Sequence, residues 1–234
     1  MKKALHIVSL AAASTMALPA LAQTYQAGDW VVRAGATQVA PAESSSPLTL
    51  DGTVLPDPLG GTLKVDDDTQ LGLTLEYMIT DSWGIELLAA TPFSHTATVT
   101  DAMALQGLDV ADVKHLPPTL SAVYHIDLGN NFQPYLGVGI NYTVFFEEDT
   151  TSAADATFAT LGLVGGDVEM DNSWGASFQV GFDYHLNQSW LINASVRWID
   201  IDSTATIKFD NGSEIESDVE IDPYVYTLSV GYKF

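Results

Sequence analysis

Six ionisable side chains stand on the polar phase of stretches in which polar and apolar residues alternate: Arg33, Glu76, Glu86, Asp183, Arg197 and Lys233. Carboxylates and cations gathered in one place could do acid–base work or relay a proton, because neighbouring charges push protonation states apart. The same set could be a structural salt-bridge plug, since charges in a confined space persist when they are paired. Nucleophilic chemistry is poorly supplied. Ser177 and Ser195 share the polar phase, but no histidine of that phase matches their height, and no G-x-S-x-G occurs. The chain has no cysteine, so a thiolate nucleophile and Cys-ligated zinc are excluded. His95, His115, His125 and His185 form no H-x₃-H pair. The sequence therefore assigns no catalytic residue, no metal ligand and no cofactor.

The elements that must position these residues are strands. Eight segments alternate with period 2: 30–36, 70–79, 83–90, 116–126, 136–144, 177–186, 190–198 and 224–234. That period is the signature of a strand with two unlike faces. The connectors alternate in length. Thr80 to Ser82, Asp127 to Asn131 and Asn187 to Ser189 are short, whereas about 38–69, 94–114, 147–172 and 203–219 are long. Short turns at one end and long loops at the other are the pattern of an outer-membrane barrel. Aromatics support it: Trp30, Tyr77, Trp83, Tyr124, Phe132, Tyr184, Trp190 and Phe234 fall at the short-turn end. Phe93, Phe146, Trp174, Trp198 and Tyr224 fall near the long-loop end, as two interfacial belts require. A secreted β-sandwich also alternates, but has no reason to place aromatics at both strand ends of the apolar face. The expectation is an all-β, eight-stranded antiparallel transmembrane β-barrel.

Composition agrees. Eight basic against 30 acidic residues give a net charge of −22, which excludes a nucleic-acid binder dependent on phosphate contacts. A hydrophobic fraction of 47% is too high for a solvated, disordered chain. At the N-terminus Lys2 and Lys3 precede an apolar stretch from Ala4 to Leu18 and then Ala20-Leu21-Ala22, the layout of a cleavable signal peptide. Residues 1–22 are thus expected to be an export signal and 23–234 the barrel. No later stretch supplies the ~20 apolar residues of a spanning helix.

With the apolar phase toward lipid, the polar phase faces the lumen. Counting from the short-turn end puts Arg33, Glu76, Glu86, Asp183 and Lys233 near the periplasmic floor, with Arg197 higher. Above them the inward residues Leu88, Ala90, Gly137, Gly139, Ser177 and Ser195 are smaller or less polar, so a cavity open outward and closed below is expected. Eight strands leave an interior wide enough for side chains or one small ligand, whereas a broad water channel takes roughly 16. Pro117 and Pro118 cannot donate to a ladder; the pair marks either a strand start or a weak point in the wall. The acidic runs Asp66-Asp67-Asp68, Glu147-Glu148-Asp149 and Asp210 to Glu220 fall in outer loops, either as a solvated surface or as divalent-cation bridges to anionic lipopolysaccharide.

Several stretches resemble the outer membrane protein W (OmpW) family: His115-Leu116-Pro117-Pro118-Thr119-Leu120, Pro134 to Thr143, Glu86 to Phe93, Asp171 to Tyr184 and the tail Gly231-Tyr232-Lys233-Phe234. The resemblance runs over essentially the whole of 23–234 and extends to the related AlkL alkane-uptake proteins. It implies an eight-stranded barrel in the bacterial outer membrane that passes small hydrophobic molecules and releases them sideways through its wall. Leu88 matches an inward apolar lumen position of that family, and Arg197 stands where a relative can carry an aromatic. The partners implied are outer-membrane lipid and lipopolysaccharide, small hydrophobic solutes, and the outer-membrane assembly machinery through C-terminal Phe234. The competing expectation is a structural or adhesive barrel without transport.

Overall fold

The computed structural model describes residues 25–56 and 59–234; the expected export signal lies outside them. In chain order the elements are β1 (Trp30–Ala40), β2 (Ser44–Ser45), β3 (Thr49–Leu50), β4 (Thr53–Val54), β5 (Thr62–Val65), β6 (Asp68–Met78), β7 (Trp83–Ala90), β8 (Phe93–Thr100) and β9 (Asp109–Leu116). There follow β10 (Thr119–His125), β11 (Phe132–Thr150), α1 (Ser152–Thr160), β12 (Asp167–Met170), β13 (Ser173–His185), β14 (Trp190–Ile199), β15 (Asp202–Lys208), β16 (Glu214–Glu220) and β17 (Tyr224–Lys233).

Eight of these close a ring. Around it run β1, β6, β7, β10, β11, β13, β14 and β17, every pair antiparallel, and β17 returns to β1 with Val31 opposite Lys233 and Ala40 opposite Tyr224. Closure leaves no free edge in the wall. The barrel strands coincide with the eight alternating segments, because each carries a strict two-faced pattern. In β6 the side chains of Leu71, Leu73, Leu75 and Tyr77 are exposed while Gly72, Thr74, Glu76 and Met78 are buried. The faces are inverted relative to a soluble protein: apolar outside, polar inside. The short turns are fixed by side chains that bond their own backbone. Asn187 Oδ1 accepts from the backbone N–H of Ser189 (3.0 Å) and Trp190 (2.9 Å), and Asp127 Oδ1 accepts from that of Gly129 (2.7 Å). Above the turns, Trp30–Tyr77, Trp83–Tyr124, Phe132–Phe182 and Trp190–Tyr232 ring pairs make the lower girdle, and Tyr142–Trp174 and Phe178–Trp198 contribute to the upper one.

The long connectors are not open loops; they fold into a cap. β11 runs for 19 residues and outgrows the barrel, and its upper half pairs with β9, which pairs with β8 and then β5. A second sheet orders β12, β15, β16, β3 and β4, with β2 also on β16. Helix α1 starts at Thr151, whose Oγ1 accepts from the backbone N–H of Ala154 at 3.1 Å. Phe93, Val99, Val110, Phe145, Phe158 and Phe209 belong to the buried apolar cluster of the cap. Phe93, expected in the outer aromatic belt, is buried there instead. Its phase changes because Thr91-Pro92 interrupts the run between β7 and β8, and the inner face of the cap, unlike that of the barrel, is apolar.

Candidate functional site

The lumen of the barrel is filled around one cation. Arg33 enters from β1 and reaches three carboxylates on other strands. Its Nη2 donates to Asp183 Oδ2 (2.7 Å) and Glu76 Oε2 (2.8 Å), its Nε to Asp183 Oδ1 (3.2 Å), and its Nη1 to Glu86 Oε2 (3.3 Å). All four side chains are at most 2% exposed. Burial of this kind is costly unless the charges are paired and hydrogen-bonded, and neighbours supply further bonds to the carboxylates, although Arg197 Nη1 and His125 Nδ1 are buried without a partner. Tyr25 O–H donates to Asp183 Oδ2 (2.6 Å), Asn193 Nδ2 to Asp183 Oδ1 (2.9 Å), and His125 Nε2 to Glu76 Oε1 (2.7 Å). Arg197, which the height count set apart, joins the same network: its Nη2 donates to Glu86 Oε1 and Gln179 Oε1, both at 2.7 Å. Long side chains bridge levels that backbone counting keeps separate. Lys233 goes the other way. It lies at the periplasmic rim, its Nζ 3.2 Å from Asp29 Oδ2 and 5.9 Å from the Tyr25 ring centre, and not in the Arg33 cluster. Tyr25, His125, Gln179, Tyr135 and Asn193 are members that spacing did not reveal; an inward phase was the only sequence signal of the four that stand on strands, and Tyr25, ahead of β1, gave none.

Higher in the lumen the expected open space is occupied. A Cβ on Gly137 would lie 2.6 Å from the Gln179 side chain, and one on Gly139 would lie 2.5 Å from Ser121 Oγ. These glycines make room for the polar network and leave no void there. Leu88 is buried opposite Thr119, and Asn141 Nδ2 donates to Thr119 Oγ1 at 3.0 Å. Ala90 packs under the apolar cluster of the cap.

An apolar cavity lies in the cap. It measures about 300 Å³ and is walled almost wholly by apolar side chains, among them Leu48, Leu63, Leu105, Val110, Phe145 and Phe158. Neither Leu88, Ala90, Pro117, Pro118 nor Arg197 lines it. Two imidazoles do, His95 and His115. Their rings stack with centres 5.0 Å apart and 25° between planes, and Phe93 stacks on His115 at 5.5 Å. Burial, reinforced by His95, pulls the pKa of His115 down to about 3, with Asp68 opposing, so this ring is neutral at ordinary pH.

Between cavity and lumen the wall changes partners. Ladder pairing of β7 with β10 ends at Leu88 opposite Thr119, and pairing of β8 with β9 begins at Phe93 opposite His115. Thr91-Pro92 faces Leu116-Pro117-Pro118 across the interruption. Proline cannot supply a ladder donor, and here three are brought together. On their other side the prolines are held: Pro118 O accepts from the backbone N–H of Tyr142 (3.1 Å) and from Asn141 Nδ2 (3.2 Å). The Pro117-Pro118 pair thus stands between the end of β9 and the start of β10, as a strand start requires, with ladder pairing interrupted on the β7–β8 side. Pro92 is the partner that reading Pro117-Pro118 alone overlooked.

The acidic runs of the outer loops do not converge on one point. Among the described residues, the carboxylates gathered to within 4.8 Å are a different trio, Asp200, Asp202 and Asp222.

A closed eight-stranded barrel with an apolar outer band, aromatic girdles and a charged, filled interior is a transmembrane β-barrel of the outer-membrane type. Its outward face is in contact with outer-membrane lipid. Within that class the chain belongs to the OmpW family, whose sequence profile matches residues 26–234. It is 43% identical over 212 residues to outer membrane protein W of Vibrio cholerae, covering 90% of each chain. The crystal structure of the outer membrane protein OprG from Pseudomonas aeruginosa is similar, with a TM-score of 0.81 and 43% identity over 91% of this chain and 99% of that one. A more distant relative is the dibenzothiophene metabolism operon protein PahQ of Pseudomonas aeruginosa, 26% identical over 205 residues and 88% of each chain.

Proposed function

We propose that the protein carries small hydrophobic molecules across the outer membrane: into the cap cavity from outside, then sideways into the bilayer. The observation that carries the reading is an apolar cavity of about 300 Å³ standing over a lumen filled by the Arg33 network. An apolar solute is drawn from water into such a cavity by the hydrophobic effect. It gains nothing by going straight down, where each step would separate buried charges. The ladder interruption at Pro92, Pro117 and Pro118 lies beside the base of the cavity, where His115 is one residue from Leu116, and offers the sideways exit. A relative named for dibenzothiophene metabolism fits an aromatic, sparingly soluble cargo.

The test is uptake of an apolar fluorescent probe by cells with matched surface expression. Ala97→Phe fills the cavity without adding charge, and Pro92→Val with Pro117→Val and Pro118→Val restores ladder donors. Both are expected to slow uptake and to leave ion conductance in planar bilayers unchanged. If both transport normally while a variant with an emptied lumen gains uptake, the route is straight through. If wild type takes up no more probe than cells lacking the protein, the barrel is structural or adhesive.

A further inference from the structure

The cap cavity has a largely apolar wall with His95, His115, Glu216 and Ser217 as its polar lining, and the two imidazoles keep one nitrogen each without a partner. His95 projects from β8 and His115 from β9, on adjacent strands and one face, as the pairs Phe93 with His115 and His95 with Val113 require. Both side chains are more than nine-tenths buried. His95 Nδ1 lies 2.6 Å from the backbone carbonyl oxygen of Asp66. A carbonyl can only accept, so Nδ1 carries a proton, which leaves Nε2 as the ring nitrogen able to accept when the ring holds one proton. That Nε2 is buried with no hydrogen-bond partner, and so is Nδ1 of His115. Orphaned buried polar atoms are few in folded proteins, and each calls for an explanation.

Several explanations fail. A metal ion is disfavoured because no third ligand joins the pair: among the described residues, the groups gathered to ligand distance are Asp200, Asp202 and Asp222. His95 Nδ1 is anchored on the Asp66 carbonyl, but that bond leaves Nε2 of His95 and Nδ1 of His115 without a partner. An anionic ligand is disfavoured, because no lysine or arginine lines the cavity and its charged lining residue is Glu216. What remains is a neutral group that both donates and accepts. A hydroxyl does both: its hydrogen meets the lone pair of His95 Nε2 while its oxygen accepts from the ring N–H of His115.

We propose that His95 and His115 form a selectivity subsite at the base of the cap cavity, favouring hydroxylated hydrophobic molecules (alcohols and phenols) over hydrocarbons of the same size. The proposal rests on the uptake reading above and names the cargo it prefers. The apolar wall contributes affinity common to alcohol and hydrocarbon alike; the two imidazoles contribute only to the alcohol. His115 stays neutral throughout the physiological range, so it keeps both a donor and an acceptor nitrogen.

The experiment uses the full barrel in lipid nanodiscs with ¹⁵N-labelled histidine, titrated with 1-octanol or n-octane, with concentrations corrected for lipid partitioning. The expected result is that 1-octanol moves the His95 Nε2 resonance, that n-octane occupies the cavity without moving it, and that octanol binds about tenfold more tightly. His115→Phe, a ring of similar size between Phe93 and Phe145, should bring octanol affinity down to that of octane and leave octane binding intact. Equal affinity of the two probes for the wild type, or an unchanged ratio in His115→Phe, overturns the selectivity and leaves the uptake reading standing. Exclusion of both probes from the cavity overturns the uptake reading and the subsite with it. The wild-type nitrogen shift is independent of whether the variant folds.

Discussion

Replacing Arg33 with alanine removes the one cation that three buried carboxylates share. Arg33 supplies four of their contacts, at 2.7, 2.8, 3.2 and 3.3 Å. Without it Glu86 keeps Arg197, Glu76 keeps only the His125 imidazole, and Asp183 keeps the neutral donors Tyr25 and Asn193. Breaking a buried pair costs roughly 3–5 kcal/mol because a charge is stranded. With two carboxylates left without a permanent cation, the upper end applies. At a urea slope of about 2 kcal/mol per molar, the unfolding midpoint in detergent micelles should fall by about 2.5 M. The loss should shrink when the pH is lowered enough to protonate the stranded carboxylates, since neutral acids no longer need a cation. Following the folded band on unboiled denaturing gels across a urea series measures both effects. A midpoint that does not move, or a loss that is the same at pH 4 and pH 8, would refute the reasoning and mean that water already solvates the site.

Three further outcomes are expected. Gly84→Ala places a methyl group 2.2 Å from Glu76 Oε1, and because Arg33 and His125 fix that carboxylate, overpacking should cost about 1–3 kcal/mol, read on the same gels. Acid should open the cap before the barrel. The His115 pKa is about 3 in the folded cap against about 6.5 in an unfolded chain, so the unfolded cap takes up the proton first. Its stabilising contribution is complete above about pH 6.5 and is lost as the pH falls toward 3, by on the order of 4 kcal/mol over the window. Hydrogen exchange of β8 and β9 amides should accelerate there, and should not do so in His115→Phe. Wild-type protein should run at different mobilities boiled and unboiled and fractionate with outer membranes; one mobility with a soluble location would contradict a closed barrel.

The wall of the barrel was legible because lipid outside and a polar lumen inside impose one pattern on every residue of a strand. Runs such as Leu71 to Glu76 or Ile192 to Trp198 state it plainly, whereas Val31, Met78 and Leu191 turn inward as an apolar cluster with Tyr25. The cap obeys another rule. Its strands bury an apolar face against one another, carry Thr, Ser and Asp on the outside, and are broken by register shifts at Ala97/Thr98 and Phe146/Asp149. Alternation there is short and interrupted, so it reads as loop. The inward phase of Arg33, Glu76, Glu86 and Asp183 was visible; their partnership was not, because Arg33 and Asp183 are 150 residues apart and only barrel closure sets them face to face. Arg197 and Lys233 were ordered by backbone height, and flexible side chains rearranged that order. The cavity was expected beside Gly137 and Gly139. Glycines in a small lumen, however, mark places where large neighbours intrude.

The seam between β1 and β17 joins the two ends of the chain and sets the order of events in assembly. Glu76 and Glu86 stand on β6 and β7, in the same unclosed sheet as Arg33, but Asp183 arrives on β13 from the far side. Until the last strand docks, the inner surface of the sheet is a ribbon of ionised groups that hydrocarbon cannot accept. A half-formed sheet is thus barred from the bilayer interior by the residues that later hold it shut. The closing pair is also the one of greatest sequence separation in the wall, Val31 against Lys233, and pairings of high contact order are the slow ones to form.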